Sequence, residues 1–504
     1  MDLEKKILNY SQIKSVHLEW LDTEIDKQFN KLDNDKYRDF EIVKQKWKLL
    51  LLFFSEYGPI TRGNKVELFD NSRSVLNAMI NEIDSAKERV WLETYIFDNC
   101  EIAKRFVDSL CNASRRGCDV ILLVDWIGSC NIPNEWLKKL RQSGVNIVWF
   151  NPLFNKSVGP IVFRDHRKIL ITDNIAFCGS LNLSATSKLK SYIYEEADLD
   201  KYSNVNNRKR YFSYRIASFL YSKISSWNLI YRRPWFYDVH AKIKGPAIYD
   251  LAKVFLDSLK ESRSDLKRDI FIRPDEYEDG CVLQVLLSNT RKQNKGIQNV
   301  LAIATSNANW NVFLTTSYFM PPGFLRRAIQ NSIKNNIEVS LLLSGNSDIL
   351  GDTMASKYFL KKLFAKKNAR FFFTKDAHCH AKYIVIDSIW SSFGSFNWDR
   401  FSSRRNLEVS VAAFDPQIAQ QLISMQNKFT KSIEKSEELT YDRLYSQHYF
   451  SLFISKIMYN VVRLLGRNWL DGLSPSNSKS KKSYIRSSII DLSSYHILCN
   501  GIWN

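Results

Sequence analysis

One eight-residue pattern occurs twice, as His166-Arg-Lys168-Ile-Leu-Ile-Thr-Asp173 and as His380-Ala-Lys382-Tyr-Ile-Val-Ile-Asp387. Each copy is followed by Gly-Ser-x-Asn, at Gly179-Ser180-Leu-Asn182 and Gly394-Ser395-Phe-Asn397. A duplication of this kind constrains the fold more than composition does, because the chain must present two equivalent strands. In each copy His and Lys stand two apart at the mouth of a short apolar, β-branched run, and alternation along a strand turns both to one face. The glycine permits close approach of the backbone, and the serine hydroxyl and asparagine amide supply hydrogen bonds. Imidazole, ammonium, hydroxyl and amide together make a small kit for holding a phosphate.

The duplication extends beyond the motifs. The first half reads strand Val66–Phe69, helix Ser74–Lys87, strand Val90–Phe97, helix Ile102–Arg115, strand Asp119–Asp125, helix Asn134–Gln142 and strand Asn146–Phe150 before its motif. The second gives Val282–Leu287, Ile297–Asn307, Val312–Met320, Phe324–Lys334, Glu338–Leu343, Lys357–Lys366 and Arg370–Thr374 before its own. After each Gly-Ser-x-Asn come another strand and a long helix, Val239–Lys244 with Ala247–Leu259 and Leu407–Phe414 with Gln417–Phe429. Strands alternating with helices predict an α/β fold with two layered lobes, related by a pseudo-twofold axis if both histidines are to face one cleft. The expected division is an N-terminal helical extension over 1–64, a first lobe over 65–263, a second over 264–438, and a C-terminal helix and basic tail over 439–504.

Three segments fall outside the repeat. Residues 1 to about 58 have the spacing of two or three amphipathic helices, and the burst Leu49–Phe54 suits packing on the body better than a bilayer span. The insert 184–232 is rich in Tyr, Ser, Lys and Arg, which suits an anionic membrane interface or an ordinary solvated loop. Tyr445–Leu465 predicts a docked helix, followed by a polar, basic linker at 474–482.

The net charge of +19 points to an anionic partner, either an acidic membrane surface or nucleic acid. Eight cysteines include no C-x-x-C pair and read as reduced thiols. No secretory signal is visible, and no run of 18 apolar residues offers a membrane span. The expectation is peripheral membrane association inside the cell, a mitochondrial compartment included. The absence of metal-ligand spacing predicts a site with no metal and no cofactor.

These motifs resemble those of the phospholipase D superfamily. Glu93-Thr-Tyr-Ile-Phe97-Asp98, Arg116-Gly117, Trp235-x-x-Asp238-Val-His240 with Gly245-Pro246-Ala247, Tyr318-Phe319-x-Pro321 and Asn406-Leu-Glu408 narrow the resemblance to its bacterial-type cardiolipin synthase branch. It spans about residues 65 to 440. Two positions depart from that branch, Cys178-Gly179-Ser180 replacing a Gly-Gly pair and Phe401 separating Arg400 from Ser402. The N-terminal membrane spans common in that family have no counterpart in this sequence.

The resemblance implies a ping-pong phosphatidyl transfer with release of glycerol or another head group, with His166 as nucleophile and His380 as acid and base. The motifs supply the catalytic set His166, Lys168, Asp173, His380, Lys382 and Asp387. Ser180, Asn182, Ser395 and Asn397 are expected around the phosphoryl group, and Asp238 and Glu408 are expected to orient the histidine of the opposite lobe. The motif aspartates, at the far ends of their strands, suit structural ion pairs better than chemistry. His378 reads as a neighbour of the site and His240 as structural. The implied partners are anionic phospholipids such as phosphatidylglycerol. Two motifs in one chain argue against nucleic acid, since small nucleases of this superfamily carry one motif and dimerise. The alternatives are a phospholipase D hydrolase, a nucleic-acid phosphodiesterase and an inactive membrane scaffold. Oligomeric state is not legible.

Overall fold

The computed structural model describes residues 19–152, 163–184, 236–271, 273–289, 291–345, 352–360, 363 and 368–440. The expected basic insert, apart from Ser184, and the tail beyond residue 440 lie outside these residues, as does Trp235.

Each lobe is a mixed sheet under helices, and the order of strands is the same in both. In the first lobe the pairing runs Asn146–Phe150, Asp119–Asp125, Arg89–Thr94, Ile169–Thr172, Ile175–Gly179, His240–Lys244 and Ile60–Phe69. In the second it runs Ala369–Thr374, Glu338–Leu343, Asn311–Thr316, Tyr383–Ile386, Trp390–Gly394, Asn406–Phe414 and Cys281–Asn289. The central strands read as continuous apolar runs because both sheet faces are covered; Ile169, Leu170 and Ile171 are all buried. The helices start where capping side chains allow. Asn71 accepts the N–H groups of Arg73 and Ser74 ahead of Ser72–Ser85, and Asp415 accepts those of Gln417 and Ile418 ahead of Pro416–Thr430.

Two of the expected strands end early. Val90–Phe97 stops at Thr94 and Val312–Met320 at Thr316, and only single bridges follow, Phe97 to Leu183 and Phe319 to Trp398. In both lobes the threonine hydroxyl donates to the carbonyl two residues on, Thr94 to Ile96 at 3.2 Å and Thr316 to Tyr318 at 3.3 Å. This local bond competes with the ladder and turns the chain over the motif. The helix expected at Lys357–Lys366 occupies Asp352–Leu360.

The lobes are joined through their sheets. Ile60–Phe69 pairs with Cys281–Asn289 at its start and with His240–Lys244 at its end, so this strand crosses the point, 64/65, where the sequence divides the N-terminal extension from the first lobe. The helices before it, Glu19–Phe29 and Phe40–Phe54, share the core of the second lobe. Trp47 stacks on Trp390 at 6.1 Å, and its indole N–H donates to Asp387 Oδ2 at 3.1 Å. Replacing Trp47 by alanine removes the stack and one donor from a buried carboxylate. We expect a loss of about 3–5 kcal/mol in denaturant unfolding; a loss under 1 kcal/mol would show that this helix is dispensable to the lobe.

Candidate active site

The two motifs meet by an exchange between lobes. The segment ahead of the first histidine, Arg164–Asp165, forms a parallel pair with Asn406 and Leu407 of the second lobe, and the His166 N–H donates to the Leu407 carbonyl at 3.0 Å. The segment ahead of the second, His378–Cys379, pairs in parallel with Phe236 and Tyr237, and the His380 N–H donates to the Tyr237 carbonyl at 2.8 Å. In each case the next residue of the partner strand is an acid. The exchange therefore sets Glu408 against His166, with Nδ1 to Oε2 at 3.1 Å, and Asp238 against His380, with Nδ1 to Oδ1 at 2.6 Å.

Both carboxylates are buried and held below their usual range, Asp238 well below. For each, the neighbouring imidazole, hydrogen bonds and the lysines outweigh the burial penalty. An ionised carboxylate only accepts, so it fixes the proton on Nδ1 and leaves Nε2 with its lone pair toward the cleft. Burial pushes His166 down and takes His380 to about 4, against the opposing pull of Glu408 and Asp238. Lys168 is pushed down to about 7, by burial first, with Lys382 adding like-charge repulsion across the lobes. Each lysine donates to the carbonyl of its own histidine, Lys168 at 2.6 Å, and the same contact joins Lys382 to His380.

Ser180 and Ser395, expected beside phosphate, are fully buried behind the carboxylates instead. Ser180 donates to Asp238 at 2.7 Å and Ser395 donates to Glu408, while the N–H groups of Val239 and Val409 donate back to the two hydroxyls at 3.1 Å. Gly179 and Gly394 allow this closeness: a Cβ on Gly394 would stand 2.3 Å from the Val409 carbonyl oxygen. Asn182 and Asn397 are buried, and the side-chain oxygen of each lacks a hydrogen-bond partner among the described residues.

The motif aspartates are placed with neither histidine, and hydrogen bonds from backbone, with the Trp47 indole and Asn309 amide added at Asp387, stand where ion pairs are expected. Asp173 accepts the N–H groups of Lys87, Glu88 and Arg89 at 2.9–3.0 Å. Asp387 accepts those of Asn309 and Trp310 at 2.8 and 2.7 Å. Both sit at positive φ, 42° and 54°, a conformation that Asp tolerates better than most residues. They clamp the loop entering the central strand of each lobe.

Two aromatic neighbours lie in quoted motifs without being read as site residues. Tyr95 meets His166 edge-on at 5.1 Å with Lys168 Nζ 5.4 Å from its ring, and Phe236 lies 5.7 Å from His380. His378 is buried between Ser344 and Ser317 hydroxyls at 3.1 and 3.4 Å, 6.0 Å from the His380 ring. His240 is buried, and neither ring nitrogen has a hydrogen-bond partner among the described residues. Among the described residues no group of three or more His, Cys, Asp or Glu is set to hold a metal ion.

Three histidines with depressed values make stability sensitive to acid. The unfolded state binds protons below about pH 6.5, whereas folded His240 and His380 resist until about 4. The stability such a histidine contributes is complete above about pH 6.5 and is lost toward pH 4, on the order of 3 kcal/mol. Buried Glu93, Asp165 and Asp399, whose values are raised, act in the opposite sense over the same window, so the histidine effect is read as a difference: we expect His240→Leu to lower the slope of unfolding free energy against pH by about one proton relative to wild type. An unchanged slope would mean that His240 titrates normally in the folded protein.

Comparison with known proteins follows this geometry. The sequence family described as "Cardiolipin synthase, PLD-like domain" matches residues 79–197 and 301–430, one segment in each lobe. The cardiolipin synthase of Clostridium perfringens (strain SM101 / Type A) is 28% identical over 451 residues, covering 87% of this chain and 83% of that one. The major cardiolipin synthase of Bacillus subtilis (strain 168) is 23% identical over 446 residues, covering 87% and 81%. Among solved structures, phosphatidylserine synthase from Haemophilus influenzae Rd KW20 aligns with a TM-score of 0.58 at 13% identity, over 83% of this chain and 97% of that one. At that identity the likeness is one of fold.

Proposed function

Because the chain belongs to the phospholipase D superfamily, in its cardiolipin synthase-type branch, we propose that it is a phosphatidyltransferase joining two phosphatidylglycerol molecules into cardiolipin with release of glycerol. The observation that carries this reading is the pair of crossed histidine–carboxylate couples, His166–Glu408 and His380–Asp238. In the first step His166 Nε2 attacks phosphorus, the bond to the glycerol head group breaks, and His380 gives its proton to the departing oxygen. In the second, the head-group hydroxyl of another phosphatidylglycerol loses its proton to His380 and attacks phosphorus. The P–N bond then breaks and cardiolipin leaves.

Lys168 and Lys382 offset charge as it builds on the phosphoryl oxygens, with Asn182 and Asn397 beside them. An anionic phosphodiester between the lysines also favours their protonated forms and that of His380, against the burial that lowers Lys168 and His380. The lobes proposed to carry this chemistry are 65–263 and 264–438, flanked by segments 1–64 and 439–504.

Among the described residues no helix is long and apolar enough to cross a membrane. The proposed membrane contact is peripheral, through the basic surface that the +19 charge implies. Binding to phosphatidylglycerol vesicles should weaken steeply with salt; salt-independent binding would argue for apolar insertion instead.

The deciding experiment incubates the purified chain with phosphatidylglycerol vesicles in the presence of a chelator and resolves the products by mass spectrometry. Cardiolipin with stoichiometric glycerol is the expected outcome. Phosphatidic acid would make water the acceptor and the protein a hydrolase, and no turnover with intact vesicle binding would move the function to a scaffold.

A further inference from the structure

The two lobes differ in what lies behind their motifs. In the first, Arg167 stands between the catalytic histidine and lysine of the motif and is fully buried. Its Nη1 donates to Ser258 Oγ at 2.7 Å on the helix Ala247–Glu261, and its Nε donates to the backbone carbonyl of Glu408 at 3.5 Å. Glu93 and Asp165 are fully buried beside it. Burial first, and then Asp165, pushes the Glu93 carboxyl well up, while burial takes Asp165 to about 6. The two carboxyls thus resist carrying two negative charges together beside the one guanidinium.

The equivalent positions of the second lobe are neutral. Glu93 lies across the ladder from Ile169 as Thr315 lies across from Tyr383, and the motif residues matching Asp165 and Arg167 are Cys379 and Ala381. Ala381 carries no guanidinium, and Tyr383, which matches Ile169, places its hydroxyl 3.4 Å from that of Tyr237. Gln426 completes the neutral set, donating to Thr315 Oγ1 at 3.1 Å and the Leu314 carbonyl at 3.0 Å. The same sheet and covering helix therefore form without buried charge, and replacing buried ions by packed neutral groups is often tolerated or stabilising. A requirement of the fold does not explain why the lobe of His166 keeps the charged version.

We propose that Arg167, anchored through Nη1 to Ser258 and the Val254 carbonyl, is a positioning residue for the His166–Glu408 couple. Its Nε reaches across the lobe boundary to the backbone of Glu408, the residue whose carboxylate holds His166 Nδ1, while Nη1 anchors it to a rigid helix. Its contact is with the Glu408 backbone, so it acts on where Glu408 stands. A displacement of about 1 Å in such a couple costs on the order of 10²-fold in rate.

The inference rests on the roles proposed for His166 and Glu408, so its test runs beside His166→Ala. The first lobe is given the neutral set of the second by Glu93→Thr, Asp165→Cys, Arg167→Ala and Ile169→Tyr together, and Arg167→Lys is made separately, keeping the charge but not the Nε contact. Both are assayed for cardiolipin formation and for thermal unfolding. The expected result is a folded protein with kcat lowered about 10²-fold and KM for phosphatidylglycerol within about twofold of wild type. Wild-type kcat in either folded variant overturns the inference, as does a loss confined to KM, which would make Arg167 a lipid contact. If the fourfold variant does not fold, Arg167→Lys alone decides by the same criteria. Full activity in His166→Ala would instead overturn the functional reading itself, a result distinguishable from an active Arg167→Lys beside an inactive His166→Ala.

Discussion

His380→Ala will turn over phosphatidylglycerol about 10²–10⁴-fold more slowly than wild type, and His166→Ala will show no transfer above background. The two losses have different causes, and the leaving group separates them. Glycerol departs as a poor alkoxide unless it is protonated, and the proposed mechanism draws that proton from His380. A phosphatidyl ester of p-nitrophenol needs no such help, because its phenolate is stable at neutral pH. With that substrate His380→Ala should release about one equivalent of nitrophenol in a burst and then stall, since no base remains to activate the incoming hydroxyl. The stalled protein should carry a phosphatidyl group on His166, labile to acid and stable to base, detectable as a mass shift on the peptide containing residue 166. His166→Ala should give no burst. A burst from His166→Ala and none from His380→Ala would exchange the two roles, and bursts from both would mean that neither histidine is the nucleophile. The near symmetry of the couples, both Nδ1-bound to a buried carboxylate of the other lobe, is why such a test is needed.

The symmetry was also what made the chain readable. Strand and helix positions followed from two copies of one pattern, and strands such as Asp119–Asp125, Asn146–Phe150 and Glu338–Leu343 fall where the periodicity puts them. The pairing of Glu408 with His166 and of Asp238 with His380 was expected from the resemblance to the phospholipase D superfamily, on acids that follow each motif; periodicity alone does not give it. What periodicity does not encode is the direction of a polar side chain at a turn. Ser180 and Ser395 occupy positions that suit a phosphate ligand, yet a glycine before each lets the chain fold back so closely that the hydroxyl meets a carboxylate instead. Asp173 and Asp387 carry charge, and charge suggested ion pairs; the turn at positive φ presents backbone N–H groups to them before any cation. The extension 1–64 reads as helices packed on the body, yet which part of the body receives them was not legible: their apolar face meets residues of the second lobe some 240 positions later, such as Ile297 and Val300. Contacts at that separation leave no local trace in sequence.

Replacing the carboxylates by amides should produce a crossed pattern, in which a residue of one lobe controls the step performed by the histidine of the other. Glu408→Gln and Asp238→Asn keep shape and volume but remove the charge, and an amide can turn its NH₂ toward Nδ1 and drive the imidazole proton onto Nε2. That tautomer presents an N–H where the chemistry needs a lone pair. The comparable change in a Ser-His-Asp triad lowers kcat by about 10⁴, and a loss of about 10³–10⁴ is expected here. With the nitrophenyl ester, Glu408→Gln should abolish the burst, since it disables His166, while Asp238→Asn should retain it and fail only in turnover, since it disables His380. Both folded structures should survive: the oxygen facing Nδ1 is also the one the serine bonds, and with NH₂ in its place the Ser395 or Ser180 hydroxyl can accept from the amide and turn its own proton to the carbonyl of Val409 or Val239. Pairing Glu408→Gln with His166→Ala should cost no more than His166→Ala alone, whereas pairing Glu408→Gln with His380→Ala should remove the burst that His380→Ala retains. If Glu408→Gln left the burst intact while Asp238→Asn removed it, each carboxylate would be serving the histidine of its own lobe. The exchange of strands that sets Leu407 against Asp165 and Tyr237 against Cys379 would then hold the lobes together without building the site. Crossed losses are what this geometry requires: neither lobe contains a complete couple, so a chain with one intact motif and one intact acid from the same half has no working histidine.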